Sequence, residues 1–261
     1  MESDFPEVPS LIYDGPFSEH IAGRRPKMLE GKPFVTQEEA REAAARFMGL
    51  KPEIFTLASA GAGRVPTWGF SATVDGGELY VEVTQRGGVV TELMNARPVG
   101  KAELSAAEAV RLASDFLEEQ GYADMAATYY IARDNILTIN FAAVQNGVIC
   151  YPDLVKVSVA LDNGRLVGFE NQGYLMNHTV RSLPAPAVSL ARAQLVVDPA
   201  LKILAHQMAL IPTGGENEVF CHEFKCELDD GRHYIVYVNA QTGNEEKILI
   251  LIEDETGTLA I

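Results

Sequence analysis

The residues of this chain best equipped for chemistry are five histidines, three cysteines and several adjacent acid pairs. The histidines are His20, His178, His206, His222 and His233, and none falls into the His-Glu-x-x-His spacing that sets two imidazoles on one helix face for zinc. Cys221-His222, with Cys226 and His233, offers the right ligand types. Adjacent residues of a strand point to opposite faces, however, so Cys221 and His222 cannot readily share an ion. The expectation is no metal, with buried thiols and solvent-facing imidazoles on a hairpin. Cys150 leaves the cysteine count odd, which gives no paired disulfide framework. The odd separation of Cys221 and Cys226 also puts those two on opposite strand faces.

Nucleophilic and acid–base chemistry fare no better. There is no Gly-x-Ser-x-Gly elbow to present a serine to a base and an oxyanion hole. The acid pairs Glu38-Glu39, Glu118-Glu119, Asp229-Asp230 and Glu245-Glu246 could suggest glycosidase carboxylates. Those must face each other across a cleft, whereas these sit at a helix start, a helix end and hairpin turns, where acids cap and solvate. No catalytic residue and no cofactor are expected. The segment Tyr174-Leu-Met-Asn-His178 is the most suggestive of contact. Tyr174, Met176, Asn177 and His178 form a candidate binding or inter-module surface together with Tyr151 and Asp153, whose intervening Pro152 should mark a strand edge or bulge. Trp68, the sole tryptophan, reads as core.

The elements that must position these residues repeat. Thr36, Ser105 and Ser189 each precede a helical pattern with apolar residues at offsets 4, 7, 8, 11 and 12, one face of an α-helix. The early positions are small (Ala40 and Ala44, Ala109 and Ala113), which lets a helix lie close to a sheet. Thr36 with Glu39 and Ser105 with Glu108 match the capping box, in which hydroxyl and carboxylate satisfy each other's orphan amides. Ser189 has Arg192 in the acid's place, and Asp198-Pro199 should end that helix about a turn early.

Alternating strands follow each helix. Leu79–Val83, Val155–Leu161 and Tyr234–Val238 can be aligned so that Gly88, Gly164 and Gly243 fall in register, each where a tight turn needs positive φ. Further turns are expected at Asp75-Gly76-Gly77, Asp134-Asn135, Asn146-Gly147 and Asp229-Asp230-Gly231. The fold class is therefore α+β. Three tandem modules are expected, each one helix on an antiparallel sheet of about four strands. Residues 1–34 form an irregular lead, and the modules span 35–99, 100–183 and 187–261. Arg97-Pro98-Val99-Gly100 and the stiff Leu183-Pro184-Ala185-Pro186 serve as connectors. The lead contains Leu11–Phe17, apolar enough to dock on one of the sheets.

With 36 acidic against 21 basic residues the net charge is −15, so no basic face invites nucleic acid or anionic lipid. No window approaches the ~20 apolar residues of a membrane span, and the N-terminus has no signal-peptide pattern. Exposed sheet edges could pair between copies and make an oligomer.

The strings Ser10-Leu-Ile-Tyr-Asp-Gly-Pro-Phe-Ser18, Tyr151-Pro-Asp-Leu-Val-Lys-Val157, Gly173-Tyr-Leu-Met-Asn-His178 and Val238-Asn-Ala-Gln-Thr-Gly243 stand in one order along the chain. They resemble the C-terminal region of the spore-germination protein family YpeB, built of tandem PepSY domains, from about Tyr13 to the end. The resemblance implies a non-enzymatic role in endospore germination. It also implies partnership with a SleB-type cortex-lytic enzyme and a place on the outer face of the spore inner membrane, towards the cortex. Members of that family carry an N-terminal membrane helix outside the matched region, so this chain is expected to be a soluble portion without membrane contact. The alternatives are a PepSY-type peptidase inhibitor or propeptide-like chaperone, and an enzyme acting on cortex peptidoglycan.

Overall fold

The computed structural model describes residues 25–213, 217–254 and 257–260; the docking expected of Leu11–Phe17, like His20, falls outside them. Helix α1 (Gln37–Met48) begins with a complete capping box: Glu39 donates its amide to Thr36 Oγ1, and Thr36 donates its amide to Glu39 Oε2 at 2.7 Å. Helix α2 (Ala106–Glu119) repeats this through Ser105 and Glu108. These reciprocal bonds hold both carboxyls of Glu39 and Glu108 below their ordinary range.

Strands β1 (Thr56–Gly61), β2 (Thr67–Val74), β3 (Gly77–Thr84) and β4 (Val90–Asn95) form an antiparallel meander after α1. After α2 come β5 (Met125–Arg133), β6 (Ile136–Gln145), β7 (Val148–Ala160) and β8 (Leu166–Glu170) in the same arrangement. The hairpins are set by local chemistry. Asp134 and Asn135 sit at φ 51° and 59°, and Asn146 and Gly147 at 52° and 77°, the doubly left-handed pair that matches strand twist. The aligned glycines Gly88, Gly164 and Gly243 all adopt positive φ.

Strand β4 pairs antiparallel with β8 through Glu92↔Glu170, Leu93↔Phe169 and Met94↔Gly168. The two meanders thus make one eight-stranded sheet, in the order β1-β2-β3-β4-β8-β7-β6-β5. Both helices cover one face. Ala40, Ala44, Ala109 and Ala113 are fully buried against Phe70, Val81, Phe141 and Val157, so the small residues do bring helix close to sheet. Phe47 meets Phe116 and Phe169 edge-on at 5.3 and 4.9 Å, which joins the two helices over the β4–β8 seam. The first connector is pinned as well: Arg97 makes a bidentate bond to Asp162 at 2.6 and 2.9 Å. That guanidinium, with the Gly100 amide, holds the Asp162 carboxyl well below the usual carboxylate range.

The last third of the chain departs from the expected plan. Helix α4 (Leu190–Gln194) has only five residues, and it stops before Asp198-Pro199 is reached. Ser189 caps it with one bond from the Arg192 amide, while Arg192 can return no carboxylate. Asp198 Oδ1 then accepts from the Ala200 amide in a turn that feeds the next strand, so Leu201 is a strand residue and not a helical one. Strands β9 (Leu201–Pro212), β10 (Glu218–Leu228), β11 (His233–Asn239) and β12 (Glu245–Asp254) form a third meander, followed by β13 (Gly257–Ala260).

This meander is joined to the second at two places. Strand β9 runs parallel to the start of β7, pairing Val148–Cys150 with Met208–Leu210, and β13 meets β5 at Gly257↔Ile131. Strands β5, β6, β7, β9, β10, β11, β12 and β13 therefore close into a ring. Inside it Ala142, Tyr151 and Leu154 from β6 and β7 pack on Ala209, Ile211, Cys221, Tyr237 and Leu249.

Candidate functional site

Two sites grow from the segment between β7 and β9. The first begins at a bulge. Pairing of β6 with β7 runs through Ala142↔Leu154 and resumes at Ala143↔Cys150, so Tyr151-Pro152-Asp153 leaves the ladder, as Pro152 requires. Asp153 is 0% exposed. Its carboxylate takes both arms of Arg181, Nη1 and Nη2, each at 2.7 Å. Arg181 also donates from Nε and Nη2 to Glu218 of β10 at 2.9 and 2.8 Å. His178 Nδ1 lies 2.8 Å from Asp153. Burial alone would lower the Arg181 pKa, but the bonds to Glu218 and Asp153 hold it far above the ordinary value. A cation fully paired to two carboxylates works as a latch between the second and third meanders.

Helix α3 (Gln172–Asn177) supports this latch. Asn177 Nδ2 donates to the Pro152 and Gly173 carbonyls, both at 2.9 Å. The Tyr174 ring stacks on His178 at 4.0 Å and meets Tyr122 edge-on. The structure thus gathers Asp153, Tyr174, Asn177 and His178. It sends Tyr151 elsewhere, into the ring, where it faces Tyr237 and the buried Glu223. Burial pushes the Glu223 carboxyl above its ordinary value even though Gln207 donates to it at 2.6 Å.

The second site lies on the other side of α3. Here Leu175 and Met176, with Gln172, wall a groove of about 570 Å³ whose floor is the open face of the eight-stranded sheet. The floor carboxylates Glu170↔Glu92↔Glu82 lie in one cross-strand row over β8, β4 and β3, which Lys156 of β7 and Asn140 of β6 continue beyond the groove. Lys156 bonds Glu170 at 3.1 Å, the Tyr80 hydroxyl donates to Glu82 at 2.9 Å, and Arg64 also lines the groove. Like charges directly opposite on a sheet repel. Desolvation, and then Glu82 and Glu170, push the Glu92 carboxyl above its ordinary value. The three carboxylates lie side by side on a single floor. Glycosidase carboxylates flank a scissile bond from opposite sides.

Sequence reasoning missed Arg181, Glu218 and the glutamate row. The local pattern around each is ordinary, and only long-range strand pairing assembles them. The histidine expectation needs correction: His222 is buried, not solvent-facing. Its Nε2 lies 2.9 Å from the Val188 carbonyl, so Nε2 carries the proton and Nδ1 accepts from His206 Nε2 at 3.0 Å. The cysteines behave as expected. Cys221 faces the ring core and Cys226 the α4 side, and burial pushes their thiols up to about 12 and about 11. Among the described residues no group of three His, Cys, Asp or Glu could hold a metal. Nor, among them, is any helix long and apolar enough to cross a membrane.

Comparison with known proteins agrees with this architecture. The solved Bacillus megaterium YpeB C-terminal domain superimposes with a TM-score of 0.75 at 26% identity, covering 84% of this chain and 99% of that one. The sporulation protein YpeB of Halalkalibacterium halodurans is 32% identical over 233 residues, 88% of this chain and 51% of that protein. The Bacillus subtilis sporulation protein YpeB is 29% identical over 172 residues, 65% of this chain and 38% of its own length. The chain spans about half the length, or less, of the curated relatives it matches. The family model described as YpeB sporulation, PepSY1 and PepSY2 domains matches residues 1–184, and the chain belongs to that family.

Proposed function

We propose that this chain is a non-enzymatic binding module of the spore-germination apparatus. In this reading it holds and stabilises or regulates a cortex-lytic peptidoglycan hydrolase of SleB type, on the outer face of the spore inner membrane, towards the cortex. The three helix-and-meander segments act as PepSY-type modules, the third bearing a reduced helix. Support comes from the family, whose curated members are sporulation proteins, and from one structural observation. The Asp153–Arg181–Glu218 cluster joins the second and third meanders, whereas the Glu82–Glu92–Glu170 row floors an open groove. A row of carboxylates kept together despite their repulsion suits a cationic protein surface and gives the contact a direction. Met176 is the one sequence-proposed contact residue that lines this groove.

The test is proteolysis of a purified SleB-type hydrolase with and without the chain. Protection at micromolar chain, lost in the E82Q/E92Q/E170Q variant, is the expected result. Equal digestion in both samples would contradict it. Inhibition of the added protease on its own substrate would point instead to a peptidase inhibitor. Release of soluble peptidoglycan fragments by the chain alone would make it an enzyme.

A further inference from the structure

The third meander holds a pair of converging imidazole nitrogens that neither site uses. His206 of β9 and His222 of β10 bring Nε2 and Nδ1 to 3.0 Å, although 16 residues separate them along the chain. Strands β9 and β10 pair without interruption from Pro212↔Glu218 to Ala205↔Lys225, so the two rings ride on one ladder. Met208 stands directly opposite His222 and two residues from His206, on the same strand face. Among the described residues no third His, Cys, Asp or Glu joins the pair, and the Met208 thioether takes that place.

The surroundings suit this patch to a soft metal ion. The Val188 carbonyl accepts from His222 Nε2 at 2.9 Å, which leaves Nδ1 as the bare nitrogen and aims it at His206. A backbone carbonyl behind the ring is the common way in which a ligating imidazole is oriented. Two nitrogens each ~2.0–2.1 Å from one tetrahedral ion stand ~3.3 Å apart, so the pair has only a few tenths of an ångström to open. Burial, and then His222, lower the His206 pKa, which keeps its ring unprotonated for a metal. The fully buried Phe224 ring lies 5.1 Å from that of His206 and 6.2 Å from that of His222, so one side of the pair is dry. His206 itself is half-buried and leaves a way in.

We propose that His206 Nε2, His222 Nδ1 and the Met208 thioether bind one copper(I) ion. Thioether and imidazole together select a soft ion over a hard one, and the unbranched methionine side chain turns readily toward its ligand. On binding, the His206 proton passes from Nε2 to Nδ1 and both rings stay neutral. The ion ties β9 to β10 beside Val188, where the connector enters the short α4. The ligands lie on two strands, so no spacing along the chain announces the site.

The test is competition for copper(I), supplied without oxygen as its bicinchoninate complex, by the chain and by its His206→Ala and Met208→Leu variants. His206 is half-buried and leucine nearly keeps the methionine volume, so both variants should fold, as circular dichroism and a thermal melt will check. The chain should withdraw one equivalent of copper(I) and His206→Ala none, while Met208→Leu binds more weakly by about tenfold or more. X-ray absorption of the loaded chain should show two nitrogen neighbours and one thioether sulfur, with the sulfur lost in Met208→Leu. No withdrawal by the chain at micromolar concentrations would overturn the proposal. So would equal withdrawal by all three proteins, which would put the ion on the cysteine thiols, or a zinc titration showing tighter binding than copper(I).

Discussion

The first two meanders and the third solve the same burial problem differently. In β1–β8 one face of the sheet lies under two long helices, α1 and α2, each opened by a complete capping box. In β9–β12 the five-residue α4 covers Phe224, Cys226, Val236 and Val238 but does not reach the far strand. There Ile248 and Ile250, which share a face with Val236 and Tyr234, remain 45% and 40% exposed. The third meander buries its other face instead, against Ala142, Tyr151 and Leu154 of the second. A complete helix lets a meander carry its own core. A shortened one makes the meander depend on its neighbour, and the Asp153–Arg181–Glu218 latch sits at that dependence.

The sharpest way to break the contrast is to open the latch. Arg181→Ala strips the buried Asp153 of its guanidinium and leaves it only His178, a loss of ~3–5 kcal/mol for breaking such a pair. Hydrogen exchange should show β9–β11 opening while β2–β3 stay protected, and simultaneous loss in both would merge the two regions into one. Next come the caps. Thr36→Ala or Ser105→Ala should cost ~1 kcal/mol in denaturant unfolding. Ser189→Ala should cost less, because α4 supports less of its sheet.

Glu92 acts in the opposite direction. Burial, and then Glu82 and Glu170, raise its pKa above the ordinary glutamate value, so folding favours the protonated form. The stability this carries is present below that value and is lost as pH rises through the raised one. Glu92→Gln should therefore gain a few tenths to ~1 kcal/mol at pH 7 and nothing at pH 4, read from thermal melts at both. The smallest effect belongs to the uncovered face: Ile248→Ser should change stability by less than ~0.5 kcal/mol. A large loss there would mean that the face is covered in solution.

Local chemistry was legible in the sequence where it is complete within a few residues. The capping boxes at Thr36 and Ser105, the turns at Asp134-Asn135 and Asn146-Gly147, and the bulge at Pro152 all stand where their side chains require. The length of α4 was not, because Asp198-Pro199 marks only where a helix must have ended, not where a weak one gives out. The β4–β8, β7–β9 and β5–β13 pairings were not legible either, since strand register between distant segments has no local signature. Those pairings assemble both the latch and the glutamate row. Hence Asp153 and His178 were found without Arg181 or Glu218, and Met176 without the carboxylates beside it.

The most direct measurement is a calorimetric titration of a SleB-type hydrolase into this chain and into its E82Q/E92Q/E170Q variant. The expected result is a saturable one-to-one isotherm that weakens as salt rises and is lost in the variant. No binding heat at micromolar concentrations, or the same isotherm for both proteins, would contradict the account.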